Sequence, residues 1–245
     1  MRPWPTSGPL KNARCVTKSL YDGIHDQRQR EFCSATAEIS ERWIEPGQLV
    51  LDVGCGEGDI AQFCGNRKDA VFVGVELSAA RIREAHQKGL QITCSDAMNL
   101  PFKRAVFGVA MSHLLLECVP NPYRVLEEIR RTLRSDGSLI LSVPNHSNLY
   151  EVIQSLFKPD QYSDYLVRYR NLFGYTAPYL FVMLKRTGYS VEQVVKFVGS
   201  LRLSDAGLFV RLGKWIARKM QTVTKLPLAL SETIIVKAVL SCRES

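Results

Sequence analysis

The run Gln48-Leu49-Val50-Leu51-Asp52-Val53-Gly54-Cys55-Gly56-Glu57-Gly58-Asp59-Ile60 decides how the rest of the chain is read. An apolar stretch ending in an acid, three glycines at alternate positions and then a helical pattern spell a strand, a tight turn and a helix start. Glycines 54, 56 and 58 remove the Cβ atoms that would hold a ligand off the backbone, and they permit the positive φ that a sharp strand-to-helix turn requires. A ligand can then lie on bare backbone amides at a helix N-terminus, as in a nucleotide-type site.

Spacing separates the nucleotide-type ligands. A dinucleotide fingerprint runs Gly-x-Gly-x-x-Gly, with Gly or Ala last so that the helix packs closely and offers its amides to a pyrophosphate. Asp59 holds that last place. A carboxylate there would repel a pyrophosphate, which counts against a nicotinamide oxidoreductase.

Outward from the turn, strands alternate with amphipathic helices. Phe32, Ala35, Ile39 and Trp43 recur at helical spacing, so a helix precedes the first strand and Pro46-Gly47 stops it. Val71 to Val75 is a continuous apolar run, as in a parallel strand buried on both faces, and it ends in Glu76. That acid follows the glycine turn by about 20 residues, the spacing at which a strand-end carboxylate accepts ribose hydroxyls. Ser78 reads as the N-cap of a helix from Ala79 to about Lys88. Gln91 to Cys94, Val106 to Ser112 and Ser138 to Asn145 read as strands three to five, with a helix from Asn121 to Arg134 between the last two. Beyond them lie a helical stretch from Tyr150 to Phe157, a helix from Ala177 to Thr187, a strand from Ser190 to Phe197 and a last strand from Ser231 to Leu240. This alternation predicts an α/β, doubly wound domain.

Asp52-Val53-Gly54-Cys55-Gly56-Glu57-Gly58 resembles motif I of the class I S-adenosylmethionine-dependent methyltransferases. The block from Leu100-Pro101-Phe102 through Leu116-Glu117-Cys118 to Val143-Pro144-Asn145 resembles the type-11/12 branch, which includes the ubiquinone and menaquinone methyltransferases. Gly108 stands where that branch has Asp, and Cys118 where it has His. The resemblance covers residues 26 to 198 and the final strand. It implies a Rossmann-like, seven-stranded, mostly parallel sheet with an antiparallel last strand and helices on both faces.

The resemblance also implies S-adenosyl-L-methionine as cofactor and S-adenosyl-L-homocysteine as product. Its amino-acid portion, which carries an ammonium and a sulfonium and no phosphate, would face the glycine turn. The implied contacts are Asp52, Gly54, Cys55, Gly56, Gly58, Glu76, Leu77, Asp96, Ala97, Met98 and Ser112, with Asp96 accepting from the adenine amine. His113 follows strand four and is the candidate general base; the alternative is a structural histidine in the pocket wall. No Asp/Asn-Pro-Pro-Tyr run begins at Ser112-His113-Leu114, which counts against an adenine or cytosine amino acceptor. A small-molecule or lipid-like acceptor is the expectation. The competing class is a non-catalytic scaffold that binds the cofactor and stabilises a partner.

Residues 1–25 read as an N-terminal arm and 26–245 as one methyltransferase domain. A lid-like insertion occupies about 146–175, crowded with Tyr162, Tyr165, Arg168, Tyr169 and Arg170. Winding 204–220 at helical pitch gathers Leu208, Phe209, Leu212, Trp215, Ile216 and Met220 on one arc and Arg211, Lys214 and Arg218 on another. That stretch reads as a surface helix packed on the sheet, with contact to an anionic membrane or lipid-like substrate as the alternative. The net charge of +8 favours an acidic partner, but no nucleic-acid motif accompanies it. The seven cysteines form no Cys-x-x-Cys pair and read as reduced core thiols of a cytoplasmic protein. The four histidines show no metal-ligand spacing, so no metal is expected.

Overall fold

The computed structural model describes residues 27–157, 160, 171–197 and 231–241. Seven strands form one sheet: β1 (Leu49–Val53), β2 (Val71–Glu76), β3 (Gln91–Cys94), β4 (Phe107–His113), β5 (Leu133–Pro144), β6 (Tyr189–Phe197) and β7 (Thr233–Leu240). Their order is β3-β2-β1-β4-β5-β7-β6. The first five run parallel, and β7 is antiparallel to both β5 and β6. This is the doubly wound, seven-stranded sheet that the sequence predicts.

The order reverses between β1 and β4, and a crevice opens beyond the carboxyl ends of strands at such a switch point. The helices are α1 (Gln27–Glu41), α2 (Asp59–Lys68), α3 (Ala79–Gln87), α4 (Pro122–Thr132), α5 (Leu149–Phe157) and α6 (Ala177–Arg186). Alternation along each strand sends side chains to two cores. Val50, Val109, Met111 and Ile140 pack with Ala37 and Ile44 at the α1 end and with Ala61 and Cys64 of α2. Leu51, Val53, Ala110, Leu139 and Leu141 pack with Val125, Leu126 and Ile129 of α4 and Leu180, Met183 and Leu184 of α6.

Two local readings change. The helix expected to reach Arg134 ends at Thr132, because Leu133 turns extended (φ −72°, ψ 142°), pairs with Phe107 and buries its side chain. Ser78 occupies the N-cap position but its side chain makes no capping bond; its amide is used instead, as described below. The predicted arm at 1–25, the helix at 204–220 and, within the insertion, residues 158–159 and 161–170 lie outside the described residues. Among the described residues no helix is long and apolar enough to cross a membrane.

Candidate active site

At the end of β1 the chain turns through Gly54, Gly56 and Gly58, all at positive φ (75°, 58° and 76°). The turn hooks over the neighbouring strand. The amides of Gly54 and Cys55 both donate to Val75 O (2.8 and 3.1 Å), and that of Gly58 donates to Cys55 O (2.9 Å). The Gly56 amide donates to Glu76 Oε2 at 3.0 Å. Within the turn itself no bare amide is left at these four positions, because the bend is held by hydrogen bonds to β2 and to itself; the helix N-terminus begins beyond them, at Asp59. A pyrophosphate would find no free donor among these four.

The three glycines do different work. A Cβ on Gly58 would lie 2.0 Å from Leu90 Cδ1, and one on Gly54 would lie 2.8 Å from Leu115 Cδ1. A Cβ on Gly56 would meet only Arg81 Nη1, at 3.6 Å. Gly54 and Gly58 thus give room to the protein's own packing, and Gly56 leaves open space where a ligand can lie on the backbone.

Asp59 opens α2 with its carboxylate turned to Lys88, whose ammonium also donates to Glu57 O at 3.2 Å. The repulsion that the sequence assigned to Asp59 is thus largely neutralised. The four engaged turn amides count against a pyrophosphate instead.

Glu76 ends β2 beside the turn. Its Oε1 accepts from the amides of Leu77 and Ser78, both at 2.8 Å, and its Oε2 from Gly56. Three of the roughly four lone-pair positions of a carboxylate are in use, and the one left lies at Oε2. Leu77 stands 68% exposed next to it, an apolar surface at the rim of the crevice.

Asp96 follows β3. Its Oδ1 accepts from Met98 N at 2.8 Å and its carbonyl from Asn99 N at 2.9 Å, which leaves Oδ2 without a donor among the described residues. Ser95 N donates to Glu76 O at 3.1 Å, so the Asp96 turn and the Glu76 strand end are tied together. Ala97 and Met98 are half-buried against the α4 core below.

Asp52 lies buried beneath the turn, and no donor reaches its carboxyl among the described residues. Burial first, and the Glu76 charge second, push its pKa up to about 7. Burial and the Asp52 and Glu76 carboxylates push the Cys55 thiol up as well, so it stays protonated and is no nucleophile. Its sulfur fills the space over Gly74, where a Cβ would come within 2.6 Å. The resulting edge carries three carboxylates, an open backbone surface at Gly56 and an apolar rim. That set of acceptors fits the hydroxyls, the adenine amine and the ammonium of an adenosyl sulfonium.

His113 does not join this edge. Ser112, beside Met111 that pairs with Asp52, is fully buried and its hydroxyl has no partner among the described residues. His113 points to the α1 side of the sheet, with Nδ1 3.0 Å from Ser142 Oγ and Nε2 3.4 Å from Ser40 Oγ. Burial lowers its pKa to about 3. Both ring nitrogens are engaged inside the core, so the geometry is that of the structural histidine and not of the acceptor-facing base. Sequence reading missed Glu117, which is buried, has no partner for Oε2 among the described residues, and has its pKa raised by burial to about 8. It lies beside Tyr175, whose hydroxyl donates to Leu116 O at 3.1 Å. Among the described residues there is no cluster able to hold a metal ion.

Residues 51–141 match the family model described as "Methyltransferase domain". The malonyl-[acyl-carrier protein] O-methyltransferase of Herminiimonas arsenicoxydans is 32% identical over 48% of this chain and 45% of its own length. The phthiotriol/phenolphthiotriol dimycocerosates methyltransferase 1 of Mycobacterium ulcerans is 33% identical over 51% of this chain and 48% of its own. The chain thus spans about half the length of these curated relatives. Among solved structures, the putative methyltransferase in complex with the Trm112 activator of Haloferax volcanii superposes with a TM-score of 0.64 at 16% identity, over 87% of this chain and 92% of that one. At that identity the likeness is one of fold.

Proposed function

We propose, from the match of residues 51–141 to a methyltransferase domain, that the chain moves a methyl group from S-adenosylmethionine to a small-molecule or lipid-like acceptor. The observation that carries this reading is one edge holding Asp52, Glu76 and Asp96 around a glycine turn whose amides are already satisfied. When bound, S-adenosylmethionine supplies a methyl carbon on a sulfonium, already activated for in-line displacement.

The chain's own residues then have to grip and orient. Glu76 accepts from ribose at Oε2, Asp96 accepts from the adenine amine at Oδ2, and Leu77 and Met98 offer apolar surface to the ring. Asp52 faces the ammonium, and a cation there draws its carboxyl back to the ionised form. Holding two reactants near attack distance is worth several kcal/mol, on the order of what a pre-activated methyl donor needs from the protein.

Exposed apolar side chains at the same end of the sheet, Leu114 after β4 and Leu149 at the start of α5, support an acceptor with apolar surface. So do the names of the two relatives, one a malonyl-[acyl-carrier protein] O-methyltransferase and one a phthiotriol/phenolphthiotriol dimycocerosates methyltransferase.

Incubation with methyl-labelled S-adenosylmethionine and a panel of carboxylic acids, phenols and lipid-like alcohols tests the proposal. Label in a solvent-extractable product is expected. Label only in RNA or in protein side chains overturns the acceptor class, and tight binding with no turnover on any acceptor favours the scaffold.

A further inference from the structure

Glu128 and Arg131 sit three residues apart on α4, at positions whose charge reads as solvent-facing, yet their side chains are only 4% and 22% exposed. Arg131 Nε donates to Glu128 Oε1 at 3.0 Å and Nη2 to Oε2 at 2.8 Å, a two-point fork. The rest of the guanidinium reaches off the helix. Nη1 donates to Phe102 O at 2.7 Å and Nη2 to Leu100 O at 2.9 Å. Glu128 Oε2 accepts Leu100 N at 3.0 Å, so the pair grips Leu100 by both its amide and its carbonyl.

The gripped segment belongs to the long connection between β3 and β4 that carries Asp96. Asn99 N donates to Asp96 O at 2.9 Å and Ser95 Oγ to Asn99 O at 3.1 Å. A short hydrogen-bonded path therefore runs from Arg131 through Leu100 and Asn99 to the backbone of Asp96. An ion pair that only stabilised α4 would need no bonds to this connection, whereas every Arg131 bond beyond Glu128 goes to it.

The geometry points to Glu128 and Arg131 as positioning residues for the adenine end of the proposed cofactor site: by clamping Leu100 and Phe102 they fix where Asp96 stands, and so set the preference for a purine bearing a 6-amino group. This rests on the methyltransferase reading above. The Arg131 hydrogen bond holds the Glu128 carboxyl below the usual carboxylate range, so the clamp remains charged at neutral pH. Binding site residues carried on long loops lose affinity when ordering is left to the ligand, and a pre-set loop avoids that loss.

Calorimetry with two probes tests it: S-adenosylhomocysteine and its 6-oxo analogue, in which inosine replaces adenosine. Wild-type protein is expected to bind the amine about tenfold tighter or better, since the analogue leaves the Asp96 acceptor unpaired. Arg131→Met should weaken S-adenosylhomocysteine by about tenfold and the analogue, which still meets Met98 on the same connection, by clearly less, so that the preference shrinks. Arg131→Lys, which keeps the charge but lacks the fork, should restore part of it. Glu128→Gln keeps side-chain size and carries the same comparison if Arg131→Met does not fold. Variants in which both probes weaken by the same factor, or neither does, would show a structural pair and overturn the inference. A wild-type protein that binds neither probe overturns the methyltransferase reading itself.

Discussion

Glu76 Oε2 accepts the amide of Gly56 at 3.0 Å across twenty residues of sequence. The carboxylate that sequence spacing assigns to a ribose is therefore first a part of the turn. With Leu77 and Ser78 also donating to it, Glu76 sets the shape of the crevice before any ligand arrives.

Replacing Glu76 by Ala removes those three bonds and the ribose acceptor together. S-adenosylhomocysteine affinity is expected to drop by roughly 100-fold, and stability by about 2 kcal/mol, as for losing hydrogen bonds to a charged group at a partly exposed site. Titration calorimetry and urea unfolding measure the two effects. Affinity within twofold of wild type would count against the role.

Gly56→Ala and Gly58→Ala should separate binding from folding. Both introduce a Cβ at positive φ, a strain of about 1–2 kcal/mol. At Gly58 the new methyl also strikes Leu90, and overpacking adds about 1–3 kcal/mol. At Gly56 it enters open space. Gly58→Ala should therefore be the more destabilised, while Gly56→Ala should lose more affinity than its smaller drop in melting temperature explains.

Asp52 and Glu117 make stability pH-dependent. Each has a folded pKa raised above its ordinary value, from 3.8 to about 7 and from 4.5 to about 8, with burial as the first cause. Such a group lets the folded state hold a proton that the unfolded state has released. Its contribution is complete below the ordinary value and is lost as pH rises through the folded one, a change of at most about 5 kcal/mol for each group. Urea unfolding between about pH 5 and 8 should thus show falling stability. Asp52→Asn and Glu117→Gln should each flatten the fall, and curves parallel to wild type would contradict the assignment.

His113 acts in the opposite direction. Its pKa is lowered by burial from 6.5 to about 3, so the unfolded chain takes up a proton that the folded one refuses. Stability should fall as pH drops from 6.5 towards 3, and His113→Asn should remove that part of the acid sensitivity. The same variant should leave the pH profile of turnover around neutrality unchanged. Loss of a titrating limb on that profile would restore His113 as a base.

Much of the fold was legible because strand and helix patterns are local. The continuous apolar run at Val71 to Val75, the stripe Val125, Leu126, Ile129 and Leu133, and the Pro-Gly and Gly stops placed most elements to within a few residues. Asn121, where the helix was expected to start, caps α4 by accepting Arg124 N at 3.1 Å. What escaped depends on partners far away in sequence. Arg131 looks like a surface charge until Leu100 and Phe102 are seen to arrive beside it. His113 looks like a strand-end base until Ser40 of α1 is found facing it from 73 residues away. The glycine turn was correctly located, but the use of its amides by Val75 and Glu76 is a matter of register between β1 and β2, which no periodicity encodes.

Titration of the wild-type chain with S-adenosylhomocysteine, with NADH run in parallel, bears on everything proposed for this edge. The expected outcome is saturable one-to-one heat with a dissociation constant on the order of micromolar for the first and none for the second. No heat with S-adenosylhomocysteine at about 1 mM, or stabilisation by NADH in its place, would mean that Asp52, Glu76 and Asp96 surround some other ligand.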